Sequence, residues 1–315
     1  MKKLLRAFVL LLVLSTLLHA CAKPGNDNRP TQTETLAPLL TPKPAVPFGY
    51  DKLSKEQQDV YDLLVRGGIT EEKPYPLAGG EEPAALILYQ MNVNRVSSWN
   101  TAHYRVAYDE ETLSRPEAIV ATEGFDNRGN YESILERFNA KTEEYLSLLP
   151  GKEADDYTKA KAIATLLCEK VSFNYSADPY SGVQPTNDAE RESARYASQD
   201  YGAIVNGSAI CTGYAAAFQY LCGLLDVYSI YVEGFAGANG IGHAWNMVYI
   251  DGAYYHVDVT FMGTGGTIER YFLLSDDEIS VDHHGMYYGD QGGWSFDPYL
   301  AELFRIPSAG KRYGE

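Results

Sequence analysis

Between Gly242 and Phe261 the chain reads GHAWNMVYIDGAYYHVDVTF. Asp251-Gly252 is a favoured two-residue hairpin turn, and placing it there sets the register. Ile250 then faces Ala253, Tyr249 faces Tyr254, Met247 faces His256, Trp245 faces Asp258 and His243 faces Thr260. His243 and Asp258 become diagonal neighbours on one face, about 7–8 Å apart at the backbone, a gap that both side chains can bridge. The carboxylate can hold one imidazole nitrogen and leave the other to face a nucleophile, the division that a nucleophile–base–acid site needs. The other face, with Ala244, Val248, Ile250, Ala253, Tyr255, Val257 and Val259, is mostly apolar, so the sheet is expected to be covered on both sides. A His and an Asp on a buried face are costly unless paired. His256 is a rival for the same carboxylate. His243 is favoured because Gly240 and Gly242 put it at an open strand end, and Trp245 beside it can shield the pair or line a pocket.

Upstream, Tyr201 to Leu225 reads YGAIVNGSAICTGYAAAFQYLCGLL. Asn206-Gly207 signals a turn. From Cys211 the residues suit a buried helix, with Cys211, Ala215, Phe218, Cys222 and Leu225 roughly on one stripe. Cys211 falls in the first turn, where unpaired N–H groups and the helix dipole favour a thiolate. Most cysteines in such segments are only small buried hydrophobes. Cys222, deep in the helix, and Cys168 read as core, and a disulfide between them is left open.

In this order, NGSAICTGYAAAFQYLCGLL, GHAWNMVYIDGAYYHVDVTF and YFLLSDDEI resemble the transglutaminase-like superfamily, whose core is related to papain-like cysteine peptidases. The resemblance covers about Lys159 to Ser280. It implies an α+β fold: a nucleophile helix packed on an antiparallel sheet, preceded by a mainly helical region. It also implies Cys211 as nucleophile, His243 as base and Asp258 as its orienter in an acyl transfer through a thioester. Water as acceptor would make a peptidase or amidase, and an amine a protein-glutamine crosslinking transferase. A surface or cell-wall binding module that keeps the fold without turnover is the remaining alternative. The Cys211 N–H is a natural oxyanion donor, and Tyr201 or Asn206 is a candidate for a side-chain donor. The chemistry needs no cofactor. No calcium-loop pattern is present, and no metal site is expected. His283-His284, adjacent histidines without a third spaced ligand, read as surface or cleft-rim residues. The stretch GMYYGDQGGWSFDPY after them reads as a loop near the cleft or a sugar-contacting surface.

The N-terminus supplies an address. Lys2, Lys3 and Arg6 precede an apolar run from Ala7 to Leu18, too short to span a bilayer comfortably, and then His19-Ala20-Cys21. The ending resembles a bacterial lipoprotein signal. Residues 1–20 are therefore expected to be removed and Cys21 lipidated, anchoring the protein on the extracytoplasmic face of the cell membrane. Residues 21–50, rich in Pro and Thr, read as a flexible linker. Residues 51–158 read as a mainly helical region. There SKEQQDVYDLLVRG carries a Ser54/Gln57 capping box, PAALILYQMNVNRV is ambiguous, YRVAYD suggests a strand, and helices run from about Asn130 to Leu149 and Asp155 to Val171. Tyr175 to Arg195 reads as a loop. Residues 159–315 read as the transglutaminase-like domain with a C-terminal extension. If Cys21 is lipidated, Cys168, Cys211 and Cys222 remain, an odd number unlike a disulfide scaffold. The formal charge of −16 makes nucleic acid an unsuitable partner. Expected partners are a protein, peptide or cell-wall peptide substrate, and the membrane through the N-terminal lipid.

Overall fold

Asp251 and Gly252, at φ 50° and 90°, close the central hairpin, as the Asp-Gly signal predicts. The computed structural model describes residues 40, 49–65, 69, 75–76, 83–92, 104–108, 116–121, 131–287, 306 and 308–314. Met1–Leu36 lies outside the described residues, while Ala37–Glu315 forms one compact unit. The expected signal, Cys21, nearly all of the linker and most of the aromatic stretch after Tyr287 therefore fall outside the description. Among the described residues no helix is long and apolar enough to cross a membrane.

The hairpin strands Ile241–Ile250 and Ala253–Val257 pair as expected from Ile250↔Ala253 to Asn246↔Val257. The ladder then stops, three positions short of the predicted His243–Thr260 pair. Asp258 becomes the N-cap of the short helix Val259–Gly263, its Oδ1 accepting the Phe261 N–H at 3.0 Å. A capping aspartate thus replaces the ladder bond with a helix start. Ser229–Ala236 pairs on the far side of Ile241–Ile250, followed at that edge by His283–Tyr287, and Phe272–Leu274 forms the other edge of a five-stranded antiparallel sheet. The α+β architecture is as expected.

Hydrophobic clusters cover both faces of this sheet. One unites Val248, Ile250 and Val257 with Tyr214, Phe218 and Leu221 of the helix Cys211–Leu224. The other unites Ile230, Val232, Trp245 and Met247 with Val60, Leu64, Leu88 and Met91. Alternate residues of one strand thus feed two cores, the consequence of a two-residue side-chain period. The helix is fastened to the sheet by Asn246 Nδ2, which donates to the Ala215 carbonyl at 3.1 Å. Its first turn lies against backbone: Ile210 N–H donates to Ala197 O at 2.9 Å, and a Cβ on Gly213 would come within 2.3 Å of that same oxygen. Only glycine permits this approach, which places Cys211 at its level on the sheet.

Upstream, Lys55–Val65 is helical, and Ser54 and Gln57 exchange the reciprocal capping bonds. The ambiguous segment is a helix, Pro83–Asn92. The region 51–158 is not purely helical, because Tyr75–Pro76, Pro116–Ala121 and Tyr104–Tyr108 form a three-stranded antiparallel sheet. Strands this short carry little periodicity. Tyr131–Ser147 and Asp156–Lys170 match the expected helices, the latter capped by Asp155. Ile134, Phe138 and Tyr145 enter the same cluster as the nucleophile helix, so position 158 is no break in packing. The predicted loop 175–195 contains a helix, Asp188–Tyr196, started by Asn187 capping Glu190 N–H.

Candidate functional site

Cys211 is the first residue of its helix, and its N-cap, Ile210, offers no side-chain bond to the first turn. The leading N–H groups therefore remain available beside the thiol. Cys211 and His243 line the same cavity, close enough for the cysteine to act on the imidazole. The Nε2 of His243 lies 2.8 Å from Asp258 Oδ2, so the carboxylate engages one ring nitrogen and leaves Nδ1 for another partner. His243 is 8% exposed and Asp258 0%, so the acid is sealed while the base touches a cavity. That cavity, about 300 Å³, is lined by Cys211, His243, Phe173, Tyr180 and Phe235 together with the carboxylates of Asp178 and Glu233.

Burial by itself lowers the affinity of His243 for a proton. The charge and hydrogen bond of Asp258 outweigh it, with Cys211 adding, and raise the imidazole pKa to about 10. Burial pushes Asp258 the other way, upward, but His243 and a second histidine hold its carboxyl well below the usual range. That second histidine is His283. Its Nε2 lies 2.9 Å from the same Asp258 Oδ2, and its Nδ1 lies 2.7 Å from Asp282 Oδ1.

Rings seal the group. Trp245 is parallel to His243 within 20° at 6.0 Å and meets His283 edge-on at 4.9 Å. Phe261 lies 4.7 Å from His243. The Trp245 indole donates to His256 Nδ1 at 3.0 Å, and His256 Nε2 bonds Asp276 at 2.8 Å. The rival histidine is thus committed elsewhere, and burial holds its pKa below the ordinary histidine value despite Asp276.

The structure brings Cys211, His243, Asp258 and Trp245 together. It does not bring in Tyr201 or Asn206. Tyr201 is a core residue, tilted on Tyr196 at 4.6 Å and stacked on Phe138 at 6.1 Å. Asn206 sits in the turn before Ser208–Ala209, away from the cavity walls. The turn dipeptide marks a chain reversal rather than a donor. Cys168 and Cys222 are both thiols and are not bridged. Cys168 bonds the Val259 carbonyl at 3.7 Å, and burial raises its pKa to about 11.

His283 is the residue that sequence reasoning misplaced. It is buried, not on the cleft rim, whereas His284 is exposed. The signal available was the Asp282-His283 pair, a carboxylate beside an imidazole at the start of a strand. Its partner strand, through His283↔Ala236, could not be guessed locally. His243, Asp258 and His283 place donor atoms within 4.8 Å of one another, the residue types that hold zinc. Both Nε2 atoms already converge on one Asp258 oxygen and Phe261 N–H takes the other, so the set is complete as a hydrogen-bond network.

Residues 146–259 match the family model of the transglutaminase-like superfamily. The chain therefore carries a transglutaminase-like domain. It is 23% identical over 160 residues to the kyphoscoliosis peptidase of Mus musculus and 26% identical over 160 residues to that of Homo sapiens. Each match takes in 47% of this chain and 22% of the relative, so the similarity spans about a fifth of those proteins. Among solved structures, a TGase shares 15% identity and a TM-score of 0.34, over 52% of this chain and 45% of that one.

Proposed function

We propose that the protein is a cysteine-dependent acyl-transfer enzyme, a peptidase or amidase acting through a thioester. One observation carries this reading: Cys211 and His243 line one open cavity while Nε2 of His243 is held by the buried Asp258. Cys211 Sγ, having given its proton to His243, attacks a peptide or glutamine side-chain carbonyl. The tetrahedral oxyanion forms beside the uncapped N–H groups of the helix start. As the C–N bond breaks, His243 returns the proton to the departing amine. Water, deprotonated by His243, then adds to the thioester and releases the acid and the thiol. An amine in place of water gives transamidation, the second reading. The presence of Asp178 and Glu233 in the cavity suits neutral or cationic substrates and supports an amine acceptor. The kyphoscoliosis relatives are called peptidases, which favours hydrolysis. On this reading the domain is exported and held at the extracytoplasmic membrane face by a lipid on Cys21, working on protein or cell-wall peptide.

The first measurement is iodoacetamide alkylation of Cys211 against pH in the full chain, with Cys211→Ala as blank. Fast labelling at neutral pH that is lost in His243→Ala is expected. Slow labelling unchanged by that substitution would leave a binding module that keeps the fold. With the pair established, hydrolysis of peptides and incorporation of a fluorescent primary amine separate the two acceptors.

A further inference from the structure

The hydrogen-bond chain does not end at Asp258. Behind it run His283, then Asp282, and then Tyr271, whose hydroxyl donates to Asp282 Oδ2 at 2.7 Å, and Arg270, at 3.3 Å from the same atom. Arg270 is largely exposed and Asp282 partly so, whereas His283 and Asp258 are sealed. The chain therefore leads from the surface to the nucleophile.

Two features of this chain are chemically unusual. Asp258 Oδ2 serves two imidazoles at once, at 2.8 and 2.9 Å. Both ring nitrogens of His283 face carboxylate oxygens, and an ionised carboxylate only accepts. A singly protonated ring can donate to only one of two ionised carboxylates, whereas a doubly protonated ring donates to both. A second imidazole fixed on Asp258 does two things. It holds the carboxylate in place, and it shares the negative charge that His243 draws on.

We propose that His283, held by Asp282, is a positioning residue that locks Asp258 and sets how much of its charge reaches His243. The proposal rests on the Cys211–His243 reading only for its catalytic meaning, because the charge sharing itself is a property of the Asp258–His243 pair. The groups facing His283 are Asp258, Asp282, His243 and Tyr271, with Arg270 acting through Asp282 and His256 lying beyond Trp245.

The test is an NMR titration of the full chain with nitrogen-labelled histidine, the His243 signal assigned by His243→Gln. In His283→Gln, an amide replaces the second imidazole on Asp258. The His243 midpoint is expected to move up by about one pH unit. In Asp282→Asn the ring stays, but an amide can donate to Nδ1, so His283 can be neutral and still donate Nε2–H to Asp258. There the midpoint is expected to rise less, because a more distant negative charge is lost as well. A merely structural role would lower the melting temperature without moving the titration. Unchanged His243 midpoints in both variants, with folding retained, overturn the proposal. If His283→Gln does not fold, Asp282→Asn alone decides. Failure of the functional reading shows differently, as alkylation of Cys211 indifferent to His243→Ala.

Discussion

Trp245 donates its indole N–H to Nδ1 of His256 at 3.0 Å, and this bond decides which hairpin histidine is left for Asp258. With Nδ1 an acceptor, His256 carries its proton on Nε2 and gives it to Asp276 at 2.8 Å. The indole is therefore both a lid on His243 and a lock on the competing imidazole.

Trp245→Phe tests that lock. The ring stacking is largely kept, but a buried acceptor on His256 loses its donor, at a cost of about 1–3 kcal/mol. Urea denaturation of the full chain should show a lower midpoint with an unchanged slope. A midpoint equal to that of the parent protein would mean that the bond contributes nothing.

Asp258→Asn keeps the side-chain volume but removes the anion on which two imidazoles converge. Turnover of any peptide substrate is expected to fall about 10²-fold or more, and Cys211 alkylation at neutral pH should fall with it. Parent-like alkylation in this variant would remove Asp258 from the proposed machinery.

The His243–Asp258 pair also predicts a pH dependence of stability. His243 is raised in the folded state to about 10, against roughly 6.5 unfolded. Below about pH 6.5 both states bind the proton and its contribution is fully present. It is lost as pH rises from there through 10. Asp258, lowered on folding, contributes above its unfolded value and loses that contribution as pH falls through the folded one. His256, also lowered, adds stability as pH rises past the histidine range, opposing His243. Melting temperatures of His243→Gln subtracted from those of the parent isolate the first effect. The difference should be largest in mildly acidic buffer and shrink toward alkaline pH. A difference that grows with pH contradicts the assigned direction.

Gly213→Ala would drive a Cβ into the Ala197 carbonyl, 2.3 Å away, where backbone has little room to yield. Destabilisation of about 1–3 kcal/mol is expected, together with slower alkylation of Cys211, two residues earlier. Thermal melting and labelling measure the two effects separately, and a variant with parent values in both would show that the helix start can shift freely.

The features readable along the chain are those made by neighbours. Asp251-Gly252 forms its turn from its own backbone preferences, and the alternation on either side then aligns His243 with the region of Asp258. Ser54 and Gln57 cap each other across a single helical turn, and Cys211 opens its helix where small residues begin. Even so, the two-residue period carried the strand too far, because Asp258 could satisfy a helix start instead of a ladder. Long-range packing settled the rest. Tyr201 became core when Phe138, more than sixty positions upstream, came to lie on it. His256 was removed from contention by Trp245 and Asp276 together, and His283 was drawn to Asp258 because its strand pairs at an edge with Ser229–Ala236. A buried carboxylate collects whatever donors the fold delivers to it, and a local pattern of residues says nothing about donors that arrive from distant strands.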